Sequence, residues 1–81
     1  MKIIYAGWIS TRLGKPDEET DHSFSTVSDL LDYLPSRGNE YKSIFQHKNI
    51  FKAWIDGKTV PENHPLSSDS IVTLFAPMSG G

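Results

Sequence analysis

The sequence predicts a single α+β domain in which one main helix packs across a mixed sheet of four to five strands. Segments rich in β-branched and aromatic residues stand near both ends of the chain, at 2–9 and 71–75. Between them lies a helical pattern of apolar residues, and the dipeptide Asp56-Gly57 marks a hairpin. A chain of 81 residues has room for one such domain and not for two.

The first quarter of the chain opens with the strand predicted at 2–9. Residues 10–21 include Gly14, Pro16 and an acidic run, which predict a solvated loop with room for one helical turn. A short, weak strand is predicted at 22–25, and it would return antiparallel to the first.

The clearest helix signal begins at Thr26, whose side chain can cap the first turn, with Asp29 three residues later. Apolar residues then recur at helical spacing: Val27, Leu30, Leu31 and Leu34. Pro35 and Gly38 end this helix. A second, shorter helix is predicted at 39–48.

The second half of the chain contains the hairpin and a final strand. Strands at 51–55 and 58–60 flank the hairpin turn. The domain is predicted at 1–75, and a flexible tail that ends in Gly-Gly is predicted at 76–81. This order of elements fits the β-grasp, or ubiquitin-like, arrangement, in which the first and last strands pair in parallel at the centre of the sheet.

Composition excludes several classes of function. The chain has no cysteine, which excludes disulfides, thiolate metal sites and a cysteine nucleophile. A net charge of −2, with eight basic residues spread along the chain, gives no basic stripe for nucleic acid. The histidines show no metal-ligand spacing. Without a membrane-length apolar run or a secretory signal pattern, we expect a cytoplasmic location.

The last two residues, Gly80 and Gly81, follow the final strand closely and carry the strongest chemical signal. Glycine has no Cβ, so this end of the chain can enter a narrow channel. The Gly81 carboxylate is ionised at neutral pH and can attack the α-phosphate of ATP. Sulfur could then replace AMP in the acyl-adenylate and give a thiocarboxylate. The alternative is an inert terminus that happens to end in glycine.

The closing residues Phe75-Ala76-Pro77-Met78-Ser79-Gly80-Gly81 resemble those of the small, sulfur-carrying subunit of molybdopterin synthase. The turn His64-Pro65-Leu66 and the strand after it agree with the same family, although Ala76 stands where its members often have a proline. The resemblance implies a β-grasp fold, adenylation of Gly81 by an ATP-dependent activating enzyme, and conversion to a thiocarboxylate.

The resemblance also implies the partners. The tail would insert into the large subunit of molybdopterin synthase, where sulfur passes to cyclic pyranopterin monophosphate in molybdenum cofactor biosynthesis. The chain itself would then be a non-catalytic subunit that binds no cofactor or metal, because ATP binds the activating enzyme. Positioned acid–base groups would come from the partners.

Partner contacts are predicted at the end of the last strand and along the tail. On the last strand, Val72 and Leu74 are expected to face the helix, which leaves Phe75 on the outer face as a docking anchor. The tail residues expected to bind the partner are Pro77, Met78, Ser79 and Gly80. Trp8 and Trp54 are candidates for the same outer patch, and the resemblance makes Arg12 a candidate contact.

Three other functions fit the same pattern. The chain could be a β-grasp sulfur carrier for thiazole, a thiolated tRNA base or cysteine, although thiazole carriers are typically shorter and lack the stretch at 39–48. It could be a ubiquitin-like modifier, with Gly81 joined to a lysine by an isopeptide bond. It could also be a plain interaction module with an inert tail.

Overall fold

The computed structural model describes residues 1–77, and these form a mixed sheet of five strands below a layer of helices. The strands are β1 (Lys2–Tyr5), β2 (Asp17–Glu19), β3 (Lys52–Ile55), β4 (Lys58–Val60) and β5 (Ile71–Phe75). Their order in the sheet is β2-β1-β5-β3-β4. The central strands β1 and β5 are parallel, and the other pairs are antiparallel. The β-grasp prediction is therefore confirmed, with five strands.

The helical layer covers one face of this sheet. It consists of α1 (Trp8–Leu13), α2 (Val27–Tyr33) and α3 (Asn39–Phe45), with 3-10 turns at Leu34–Arg37 and Lys48–Ile50. The hydrophobic core lies between the layers, and each of its largest members has less than 2% of its surface exposed: Phe45, Ile3, Ile9, Leu30, Leu34, Leu74, Val27 and Val72. The sheet contributes alternate residues to this core and turns the others outwards.

The start of α2 and the hairpin turn confirm two local predictions. The Thr26 side chain accepts a hydrogen bond of 3.3 Å from the amide of Asp29, as a helix cap does. At the hairpin, Asp56 and Gly57 have φ of 54° and 78°. A type I′ turn needs positive φ at both positions, which explains why the strands meet there.

The region between β1 and α2 differs from the prediction. The first strand ends at Tyr5 rather than at residue 9, because Gly7 turns the chain with φ 58° and helix α1 begins at Trp8. This helix places Ile9 in the core with no exposed surface. The second strand lies at Asp17–Glu19, inside the predicted loop, and not at 22–25.

An inward-facing carboxylate explains how an acidic segment can form β2. Glu18 accepts hydrogen bonds from the hydroxyls of Tyr5 and of Tyr41, the latter at 2.9 Å, and pairs with the Arg37 guanidinium at 2.5 Å. Burial alone would raise the pKa of Glu18, but these hydrogen bonds outweigh it and lower the pKa. Burial and the Glu18 contact raise the pKa of the Tyr5 hydroxyl, which stays protonated as a donor.

Candidate functional site: the open sheet face and the base of the tail

The outer face of β5 leads directly to the tail. Val72 and Leu74 are fully buried against the helical layer, whereas Ile71 is 55% exposed on the opposite face. Phe75 is half-buried on that outer face, as the alternation predicts. This confirms the placement of Phe75, while its binding to a partner stays a prediction.

Trp54 lies beside Phe75 on the neighbouring strand. Their ring centroids are 4.9 Å apart with an interplanar angle of 50°. The Trp54 ring nitrogen donates a hydrogen bond of 2.8 Å to the hydroxyl of Thr59 on β4. The ring is thus held in place by two contacts, although 46% of the residue is exposed. Trp54, a candidate for the outer patch, lies on the outer face of the sheet beside Phe75.

The register of the strands shows that these side chains belong to one apolar area on the outer face of the sheet. Thr73 pairs with Trp54 on one side and with Ile4 on the other. Paired residues of neighbouring strands project from the same face. We call this area the open-face patch, and it consists of Ile4, Trp54, Ile71, Thr73 and Phe75.

Charged residues border the open-face patch. Lys52 pairs in register with Phe75, next to the base of the tail. At the other side of the sheet, Asp17 pairs with Ile4 and Glu19 pairs with Lys2. The patch is therefore apolar in its centre and carries charges of both signs at its edges, the usual anatomy of a protein–protein contact surface.

The base of the tail is fastened to the domain by Trp8. Its ring nitrogen donates a hydrogen bond of 3.0 Å to the carbonyl oxygen of Ala76. The indole packs on the helix side, with its centroid 6.1 Å from that of Phe51, a core residue. Trp8, a candidate for the outer patch, thus lies on the helix side instead, because the turn at Gly7 carries the chain into α1.

Arg12 on α1 is engaged within the chain. Its guanidinium lies 3.3 Å from a carboxylate oxygen of Glu40 and 3.0 Å from the hydroxyl of Ser43, both on α3. Both charged side chains are about half exposed, so the ion pair adds little stability by itself. It does tie α1 to α3, and a partner contact by Arg12 stays a prediction.

The remaining predicted site residues lie at the end of the chain. Pro77 is exposed and is the last residue that the structure describes. Met78, Ser79, Gly80 and Gly81 lie outside the described residues, so their predicted roles stay predictions. Among residues 1–77, no three His, Asp or Glu side chains are grouped so that they could hold a metal ion. The helices of this same range are too short or too polar to cross a membrane.

Sequence reasoning allowed one helical turn within 10–21, but it missed the start of helix α1 at Trp8 and the contact of Trp8 with Ala76. A signal for the helix was present, because Ile9 and Leu13 stand four residues apart, as neighbours on one helix face do. The contact itself joins residues 68 positions apart, and no local pattern could reveal it.

Comparison with known proteins places these features in a family. The fold is similar to that of the crystal structure of SAMP1 from Haloferax volcanii, with a TM-score of 0.74 and 21% sequence identity over 100% of this chain and 98% of that one. A search of curated proteins found no match. The sequence model of the ThiS family matches residues 3–81, which is all of the chain except its first two residues. The chain therefore belongs to the ThiS family of ubiquitin-like sulfur carriers.

Proposed function

We propose that this protein is the sulfur-carrier subunit of molybdopterin synthase, with the carboxylate of Gly81 as its working group. The observation that most supports the proposal is the origin of the tail. It leaves from β5, a strand that is paired with β1 on one side and β3 on the other. A strand paired on both sides is a rigid base, so the tail starts from a fixed position beside the open-face patch.

The activation chemistry needs one carboxylate on this chain and one partner enzyme. In the activating enzyme, a carboxylate oxygen of Gly81 attacks the α-phosphorus of ATP, and pyrophosphate leaves. Sulfide then attacks the acyl carbon of the adenylate, and AMP leaves with the electron pair of the broken C–O bond. The product is a thiocarboxylate on Gly81.

The transfer chemistry returns the carrier to its starting state. In the large subunit of the synthase, the thiocarboxylate sulfur attacks an oxygen-bearing carbon of cyclic pyranopterin monophosphate, and the new C–S bond forms as the C–O bond at that carbon breaks and the oxygen leaves with the bonding electron pair. Water then cleaves the bond between the acyl carbon and the sulfur, so the sulfur stays on the acceptor and Gly81 regains its carboxylate. The dithiolene needs two sulfur atoms, and two loaded carriers therefore serve each acceptor molecule.

The open-face patch supplies the surface for the two successive partners. Its exposed aromatic residue, Trp54, and the adjacent Phe75 belong to the residue types that carry most of the affinity in protein contacts. Because Phe75 is the last residue of β5, a partner that docks on the patch receives the tail directly at the edge of the contact.

The molecule that accepts the sulfur distinguishes the proposed function from the other sulfur-carrier functions. The stretch that thiazole carriers typically lack contains helix α3, whose Ile44 and Phe45 belong to the core. This integration into the fold, together with the tail sequence, favours the molybdopterin pathway over thiazole.

Reconstitution of the sulfur-transfer reaction tests whether cyclic pyranopterin monophosphate is the acceptor. The thiocarboxylated protein is mixed with a large subunit of molybdopterin synthase and cyclic pyranopterin monophosphate, and molybdopterin formation is followed by its oxidised fluorescent derivative. We expect product with the full chain and none after deletion of Gly80 and Gly81. A loaded carrier that yields no product, while a known small subunit does, would exclude this acceptor. High-mass conjugates in cell extract would instead favour the modifier.

A further inference from the structure

We infer that Trp8 is a positioning residue that fixes the point at which the tail leaves the domain. The inference rests on the proposed function, because it concerns how easily partner enzymes reach Gly81. Its physical basis is the hydrogen bond of 3.0 Å from the Trp8 ring nitrogen to the Ala76 carbonyl oxygen.

The bond extends the pairing of β1 and β5 by one step. The last backbone contact between the two segments runs from the Ala6 amide to the Leu74 carbonyl at 3.0 Å. Gly7 then turns the chain with φ 58° and ψ −130°, and Trp8 begins α1. Its indole reaches back to Ala76, which lies two residues beyond Leu74. The Trp8 side chain therefore continues the contact between the two segments beyond the last residue pair of β1 and β5.

The donor is itself held in place. The Trp8 indole packs on Phe51, which is 5% exposed, at a centroid distance of 6.1 Å. The next residue, Ile9, is fully buried and anchors α1 to the core. In this partly buried setting water competes poorly for the Ala76 carbonyl, so the bond is stronger than an exposed one.

The position of Ala76 matters because it lies close to Gly81 in the sequence. Ala76 is only 8% exposed, and Pro77 has a φ restricted by its ring. Gly81 follows Pro77 by four residues, whose fully extended reach is at most about 14 Å. If the Ala76 carbonyl is released, the tail gains a mobile residue at its base, and the local concentration of Gly81 at a partner's channel falls.

Trp8→Phe tests the hydrogen bond with little change in packing, because the variant keeps a ring against Phe51 and loses the N–H donor. In ATP–pyrophosphate exchange with a ThiS-family activating enzyme, we expect KM for the carrier to rise about fivefold, the equivalent of one hydrogen bond. We expect kcat to change less than twofold, because the seated tail reacts as before.

The matched control is Tyr33→Phe at the end of helix α2, which removes a hydroxyl that lies 3.5 Å from the ring of His22. This variant keeps its ring as Trp8→Phe does, and its KM should equal that of the wild type. NMR order parameters supply a second readout that needs no partner enzyme. The Ala76 amide should become more mobile in Trp8→Phe, while the amide of Val72 in the middle of β5 should not.

The outcomes separate the inference from the proposed function. Wild-type KM with Trp8→Phe, or an Ala76 amide as rigid as in the wild type, would overturn the inference and leave the proposed function standing. Absence of exchange with the wild-type protein would overturn the proposed function and the role of Trp8 in it. If Trp8→Phe does not fold, a synthetic chain with 3-benzothienylalanine at position 8 keeps the bicyclic shape, lacks the donor, and is judged by the same two readouts.

Discussion

The rings of Trp54 and Phe75 lie 4.9 Å apart on the open face of the sheet, one on each of two neighbouring strands. Phe75 is at the same time the last residue of β5. The aromatic pair thus joins the open-face patch to the start of the tail. In the proposed function, this geometry couples docking of a partner on the patch to delivery of the tail.

Phe75→Ala tests the docking role. The change removes a ring at the edge of the open-face patch, and we expect the complex with the large synthase subunit to weaken by about 2 kcal/mol or more. Isothermal titration calorimetry measures the dissociation constant. Phe24→Ala is the control, because Phe24 packs on Tyr33 at the helix side. Equal dissociation constants for the wild type and Phe75→Ala would remove Phe75 from the interface.

Gly81→Ala tests the need for a terminal residue without a side chain. A Cβ at this position has to fit the partner's channel and crowds the acyl carbon that water attacks during transfer, so we expect the rate of sulfur transfer to fall about tenfold or more, equivalent to roughly 1.4 kcal/mol. Single-turnover molybdopterin formation measures the rate. The melting temperature should match the wild type, since the substitution changes none of the core residues that lie between Ile3 and Ala76. Transfer at the wild-type rate would contradict a tight channel.

Glu18→Gln tests the carboxylate that fastens β2. At pH 7 we expect the free energy of unfolding to fall by about 2 kcal/mol, because hydrogen bonds to an ionised group are lost. The folded pKa of Glu18 lies below its ordinary value of 4.5. The contribution is therefore present in full above that value and is lost as pH falls through the folded pKa.

Urea unfolding at pH 7 and pH 3 checks this dependence. The stability difference between the wild type and Glu18→Gln should shrink at the lower pH. The control is Glu19→Gln, since Glu19 is exposed on the same strand. A difference that is unchanged at pH 3 would show that the charge of Glu18 is not what stabilises β2.

Gly57→Ala tests the hairpin turn. Gly57 has φ 78°, and a Cβ in the left-handed region costs about 1 kcal/mol or slightly more. Apart from Gly57 and its two chain neighbours, no heavy atom lies within 4 Å of the position that a Cβ would take, so we expect backbone strain and not a steric clash to cause the loss. Urea unfolding should show this loss, and Gly57→Asn should show a smaller one, because asparagine tolerates this conformation. Equal stability of all three proteins would contradict a type I′ turn.

The elements that the sequence predicts well are those specified by neighbouring residues. Helix α2 has its cap at Thr26 and an apolar stripe within eight residues. The hairpin needs only the Asp56-Gly57 pair and the strands beside it. The final strand shows its alternation within five residues. In each case the residues that carry the sequence signal are the same residues that form the element.

The elements that the sequence predicts poorly depend on distant partners. The sequence of β2 is typical of a solvated loop. The contacts that stabilise it as a strand join Glu18 to Tyr41 and Arg37, which are 23 and 19 residues away. The base of the tail is likewise held by the hydrogen bond from Trp8 to Ala76. This bond can form only when β1 and β5 lie side by side. The role of Gly81, in contrast, is proposed from the sequence of the tail and stays a prediction.

Intact-mass spectrometry tests the central claim, sulfur loading of Gly81, most directly. The protein is incubated with a sulfur-carrier activating enzyme, ATP and a sulfide source, with the variant that lacks Gly80 and Gly81 as the control. We expect a mass gain equal to one exchange of oxygen for sulfur, located at Gly81 by fragmentation and absent from the shortened chain. An unchanged mass, while a known carrier is converted in the same mixture, would contradict the proposed carrier chemistry.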